Sequence, residues 1–216
     1  MTSISPSDSQ KHLLYVADPM CSWCWGFSPV IGAIADRFGD TLPIRLVMGG
    51  LRAGNTKPMT QKDKEYIRGA WERVAAASGQ PFDFGLFERD GFVYDTEPAC
   101  RAVVTMRRLQ PKSALSFKAR VSRAFYAEGR DTTDPVVLAD LAGEHGVDAG
   151  TFAQGFASAE ARNETFRDFL TCQESGITGF PCLLAGRAKE GYGVITNGYQ
   201  RLDALLPVVE QWAARS

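Results

Sequence analysis

The sequence predicts an α/β fold: a strand–helix–strand opening, a long helical middle, and a helix–hairpin–helix close. Three observations carry that expectation. Short apolar runs bounded by turn residues occur at 13–17 and 43–48, and again at 181–185 and 192–196. Residues 60–175 between them repeat apolar side chains at helical spacing and show almost no strand signal. The chain has 216 residues, 44% hydrophobic and 23% charged, which suits one large domain or a core carrying an insert.

Each element has a local reason. Leu13-Leu14-Tyr15-Val16-Ala17 reads as a buried strand ended by the Asp18-Pro19 turn. Cys21 to Phe38 follows as a helix, with Phe27, Val30, Ile31, Ile34, Ala35 and Phe38 on one face and Gly39 as its stop. Pro29 kinks or restarts that helix. Pro43–Met48 is the next strand, ended by Gly49-Gly50, so the opening is a parallel βαβ unit. Asp63–Ser78 is helical, with Ile67, Ala70, Trp71, Val74 and Ala75 on one side. A loop covers Gln80–Asp95, and Thr96-Glu97-Pro98 starts a helix with Thr as N-cap. Further helices span Lys112–Glu128, Asp134 to His145, Asp148–Phe156 and Ser158–Ser175, the last with Phe166, Phe169 and Leu170 as its apolar residues. Pro181–Ala185 and Tyr192–Thr196 form a hairpin, and Arg201–Ala214 a final amphipathic helix. The expected division is a core of 13–59 and 158–214, an all-helical insertion of 60–157, and a flexible tail of 1–12.

Composition removes several classes of function. The net charge is −1, so no global field draws the chain to nucleic acid or to an anionic membrane. Met1–Gln10 is polar and lacks the basic-then-apolar order of an export signal. No window reaches the roughly eighteen apolar residues of a membrane span. The expectation is a cytoplasmic protein, monomeric or weakly dimeric. Its five cysteines are an odd set for a disulfide framework.

Cys21-Ser22-Trp23-Cys24 is the sharpest feature, lying between a strand and a helix. A thiolate is the nucleophile of disulfide exchange, and a helix start lowers a thiol's pKa from about 8.5 toward roughly 3.5–7.5. The spacing lets the second sulfur attack a mixed disulfide held by the first. Cys21 is then the exposed attacking sulfur and Cys24 the shielded resolving one. A zinc site needs a second ligand pair, and Cys100, Cys172 and Cys182 have no such spacing, so no metal is expected. Thr178-Gly179-Phe180-Pro181-Cys182 is the second feature. Its proline either starts a strand or, as a cis residue opposite the sulfurs, frees the Phe180 backbone to pair with an extended substrate.

These segments together resemble a known family. Asp18-Pro19-Met20-Cys21-Ser22-Trp23-Cys24-Trp25-Gly26-Phe27, with Thr96-Glu97-Pro98-Ala99-Cys100 and Gly179-Phe180-Pro181, is similar to the DsbA-like branch of the thioredoxin superfamily. Within it, the nearest pattern is that of the cytosolic bacterial group usually described as predicted protein-disulfide isomerases. The resemblance covers about residues 13–214. It implies a thioredoxin-like core, a redox-active Cys21–Cys24 pair and a cis Pro181 facing it. It further implies a thiol–disulfide oxidoreductase with no resident cofactor, acting on protein or peptide thiols and disulfides, with glutathione as a candidate redox partner. Ser-Trp replaces the Pro-His dipeptide of strongly oxidising exported members, so no histidine is available there to hold the thiolate.

Ser22 and Trp23, with Phe180 and Pro181, are the expected substrate contacts; Trp23 reads equally as an exposed loop aromatic. Asp18 is ordinarily a turn or cap residue, and alternatively a proton relay to Cys24. Cys182 either lies near the pair or is a small buried hydrophobe. Cys100 and Cys172 read as core residues, and His12 as part of the tail. His145 reads as a C-terminal-turn residue facing a helix dipole. Arg107, Arg108, Lys112, Lys118, Arg120 and Arg123 read as the solvated side of two helices. Two other functions share the fold: a glutathione-dependent transferase or isomerase of the kappa or hydroxychromene-carboxylate type, and a non-catalytic protease adaptor.

Overall fold

The computed structural model describes residues 10–215. Residues 1–9, most of the expected tail, lie outside the described residues. The elements in order are β1 (His12–Ala17), α1 (Ser22–Gly26), α2 (Ser28–Phe38), β2 (Ile44–Met48), α3 (Gln61–Ser78), α4 (Glu97–Leu109) and α5 (Ala114–Tyr126). There follow α6 (Pro135–Gly143), α7 (Ala149–Ala157), α8 (Ala159–Glu174), β3 (Cys182–Arg187), β4 (Gly191–Asn197) and α9 (Leu202–Ala213). This is the mixed α/β, thioredoxin-like architecture that the sequence predicts.

The strands form one sheet in the order β2-β1-β3-β4. β1 runs parallel to β2 and antiparallel to β3, and β3 is antiparallel to β4. Alternation along β1 divides its side chains between two environments. Leu13, Tyr15 and Ala17 enter the main core, which also takes α2, α9 and the helical block through Phe27, Ile34, Val209, Trp71 and Phe117. Val16 faces the other way, into a small cluster with Cys172, Cys182 and Leu184 under α8. Inside the helical block, Trp71 stands 4.8 Å from the rings of both Phe87 and Tyr126 and 5.4 Å from Phe82. The pairs with Phe87 and Tyr126 are edge-on, and such contacts add about 0.5–1.5 kcal/mol per pair beyond area burial.

Several local expectations need correction. The helix predicted from Cys21 restarts near Pro29 as expected, dividing at Phe27, because Pro29 sits in the first turn of α2, where its missing N–H costs nothing. α3 starts two residues before Asp63, because Thr60 and Asp63 close a capping box. Thr96 holds the N-cap position of α4, yet its hydroxyl accepts the Arg52 N–H at 3.1 Å instead of capping. Phe166 and Leu170 are each 52% exposed. α8 buries Ala161, Thr165 and Cys172, spacing that turns those two residues outward. His12 belongs to β1 and is fully buried, its ring bonded to the Gln10 carbonyl (2.9 Å) and the Tyr192 hydroxyl (2.7 Å). Arg107 is largely buried, reaching Glu164 at 2.7 Å and Asp168 at 2.9 Å, which ties α4 to α8. No helix among the described residues is long and apolar enough to cross a membrane.

Candidate active site

The C-terminal end of β1 delivers the chain to the site. The turn after it closes with the Cys21 N–H donating to the Asp18 carbonyl at 3.1 Å, and Cys21 becomes the N-cap of α1. Cys24 lies one turn further on, at 0% exposure, while Cys21 retains 5%. Cys21 is therefore the outer of two buried cysteines, more enclosed than the exposed sulfur the sequence predicts. Both are free thiols. The Cys24 thiol and backbone N–H both donate toward the Cys21 sulfur, and these bonds hold the Cys21 thiol below its ordinary range despite burial. Burial, with the neighbouring Cys21 sulfur, pushes Cys24 well above its own. The pair is thus polarised into one thiolate-prone and one proton-retaining sulfur.

Phe180 and Pro181 meet this pair across the sheet end. Their peptide bond is cis, and the Cys21 Sγ donates to the Phe180 carbonyl at 3.6 Å. The Phe180 ring lies against Gly49, where an added Cβ would strike the ring and force it to move. Trp23 is half-buried, its ring 5.6 Å from that of Tyr199. Ser22 beside it is half-buried at the start of α1. Leu51, after β2, is 43% exposed.

Asp18 is fully buried. It serves the expected turn, accepting the Met20 N–H at 2.8 Å, and also the Leu51 N–H at 2.7 Å and the Cys100 thiol at 3.4 Å. Burial raises its carboxyl above the usual carboxylate range. The Asp18 backbone bonds toward the Cys24 sulfur, and its carboxyl charge acts against ionisation of Cys21. Cys100 is buried, as expected, and is additionally a partner of Asp18. Cys182 does not join the pair: it is opposite Val16 on the far face of the sheet, near Cys172. The alternation set by Pro181 and β3 sends it there.

Two site residues escape a sequence reading. Tyr15 looks like one more apolar strand residue. It is fully buried, and burial with the two nearby sulfurs keeps its phenol well above the ordinary range, hence protonated. Lys118 was expected in solvent and is 1% exposed. Its Nζ donates to the Cys24 carbonyl at 3.0 Å and to Ser28 Oγ at 3.4 Å. The signal was present: Ala114, Lys118, Val121, Ser122 and Phe125 share the buried face of α5. A lysine on that face needs a polar destination inside.

A family model for the DSBA-like thioredoxin domain matches residues 13–209. The chain belongs to that family. Among its relatives, a Nitrosomonas europaea protein provisionally named a protein disulfide isomerase is 36% identical, with a TM-score of 0.88 over 94% of this chain and 97% of that one. The cytosolic disulfide reductase DsbM from Pseudomonas aeruginosa is 28% identical, with a TM-score of 0.77 over 93% and 98% of the two chains. DsbM has also been solved with GSH. The ClpXP adapter protein SpxH of Bacillus subtilis is 26% identical over 168 residues, 77% of this DSBA-like chain. The chain spans 55% of that relative's length.

Proposed function

We propose that the chain is a thiol–disulfide oxidoreductase in which Cys21 attacks and Cys24 resolves. The Cys21 thiolate attacks a substrate disulfide R–S–S–R′, forming Cys21–S–S–R and releasing R′–S⁻. Cys24, losing its proton, attacks the Cys21 sulfur, closes the Cys21–Cys24 disulfide and releases R–S⁻. The protein gives up two electrons, and the released thiolates take up protons. Two thiols, such as two molecules of glutathione, return the pair to the reduced state and become a disulfide.

The observation that carries this reading is the polarised pair facing Phe180: a thiolate-prone outer sulfur, a protonated one beneath, and the Phe180 carbonyl opposite. The Phe180 backbone offers main-chain pairing to an extended thiol or disulfide. Ser22, Trp23 and Pro181 complete the substrate surface, with Tyr199 and Leu51 at its rim. DsbM, a cytosolic reductase solved with GSH, supports glutathione as partner and the cytosol as location. Insulin reduction with glutathione tests the reading, comparing wild type with Cys21→Ser and Cys24→Ser. Wild type is expected to be active and Cys21→Ser inactive; equal rates in all three sink it.

The match to SpxH favours a second reading, an adaptor for a protease. Its signature is a stable protein partner retained by the Cys21→Ser/Cys24→Ser double variant in a pull-down. Loss of every partner in that variant leaves the redox reading alone.

A further inference from the structure

Lys118 is unusual in its surroundings. It enters from α5, in the helical block, while the sulfurs it approaches stand on α1. An ammonium is costly to bury unless an opposite charge answers it. Its hydrogen-bond partners, the Cys24 carbonyl and the Ser28 hydroxyl, are both neutral. Among the described residues no carboxylate stands within ion-pair distance of Nζ. The Asp18 carboxyl, the nearby acid, is already bonded to Met20, Leu51 and Cys100. The remaining groups facing Lys118 are Cys24 and Cys21 on α1, Cys100 on α4, and the Tyr15 ring of β1, whose centroid is 5.9 Å from Nζ. Of these, the Cys21–Cys24 pair is where a full negative charge forms and disappears with the redox cycle.

We propose that Lys118 is a positioning residue of the redox pair: a buried ammonium, supplied by the helical block, whose counter-charge is the thiolate of reduced Cys21–Cys24. The inference rests on the oxidoreductase reading above. Reduction of the disulfide by two glutathione thiols moves two electrons to the pair and forms glutathione disulfide. Of the two thiol protons, one stays on Cys24. The other goes to Lys118 where the amine is neutral, and to solvent where it is already an ammonium. Oxidation removes the thiolate and leaves Lys118 with only the more distant Asp18 charge to answer it, which raises the free energy of the oxidised form. Lys118 therefore favours the reduced pair. Burial lowers the Lys118 ammonium below its ordinary range; the Cys24 and Cys21 sulfurs, and after them Asp18 and Cys100, raise it, in agreement with this coupling.

The test is the equilibrium of the pair with reduced and oxidised glutathione in Lys118→Met and Lys118→Gln. Gln keeps a donor for the Cys24 carbonyl and lacks the charge. Both variants are expected to shift the equilibrium toward the disulfide by about tenfold, equivalent to about 30 mV. Both are also expected to move the alkylation pH profile of Cys21 upward. Wild-type values of both quantities in a folded Lys118→Met overturn the proposal and leave Lys118 a packing residue. A Gln variant restored to wild-type values assigns the effect to the hydrogen bond and also overturns it. Where neither variant folds, ¹⁵N-lysine NMR of the wild type decides. The Lys118 titration should lie lower in the oxidised than in the reduced protein, and equal titrations refute the coupling. Failure of the wild-type pair to exchange with glutathione sinks the oxidoreductase reading instead.

Discussion

Two faces of one sheet each hold a pair of cysteines, in opposite surroundings. On one face, Cys21 and Cys24 lie among Tyr15, Lys118 and the turn built on Asp18, with Phe180 in front. On the other, Cys172 and Cys182 pack with Val16 and Leu184, and the Cys172 thiol donates only to the Met48 carbonyl at 3.6 Å. Donors lower the Cys21 thiol; apolar burial pushes Cys172 up to about 12 and raises Cys182. The same side chain is made thiolate-prone or a small hydrophobe by its neighbours. Polarity and access decide, not burial alone, since all four are buried.

The contrast breaks most easily at activity. Cys21→Ser is expected to reduce insulin turnover to the uncatalysed rate, while Cys182→Ala leaves it unchanged. Comparable losses in both erase the distinction between the faces. At the level of stability, Asp18→Ala strands the Met20 and Leu51 N–H groups and the Cys100 thiol in the interior. It should cost about 2–4 kcal/mol in urea unfolding, several times the roughly 1 kcal/mol of Cys182→Ala. A larger cost for Cys182→Ala than for Asp18→Ala contradicts this ranking.

The pH response sharpens it further. The iodoacetamide rate at Cys21 should rise with pH and level off below the range of a free thiol. Cys172 and Cys182 should stay unmodified until the protein unfolds, as read by peptide mapping. A further effect is on alkaline stability. Cys172 keeps its proton in the native state to about 12, whereas the unfolded thiol loses it near 9.0. The native state binds more protons in that window, so Cys172 contributes stability fully below pH 9.0 and loses it as pH rises toward about 12. Cys172→Ala should flatten that part of the pH–stability curve.

Much of this was legible in the residues. The apolar runs, the capping residues Asp134, Asp148 and Ser158, and the glycine stops place most elements within a few positions. Cys21, Cys24 and Pro181 mark the two segments that meet. What was hidden depends on long-range placement. Lys118 is separated from Cys24 by 94 positions, and its charge argues for solvent until the face of α5 it occupies is known. Tyr15 reads as apolar because its ring is core; only the position of its hydroxyl makes it part of the site. Cys182 borders Pro181 in sequence, but strand alternation sends it to the opposite face.

The most direct test of the central claim isolates the first chemical step. Cys24→Ser, incubated with oxidised glutathione and read by intact mass and peptide mapping, cannot resolve what Cys21 forms. The account predicts one glutathione per chain, attached to Cys21, with Cys100, Cys172 and Cys182 unmodified. A glutathione on any of those three, or a folded protein whose Cys21 stays free, would contradict it.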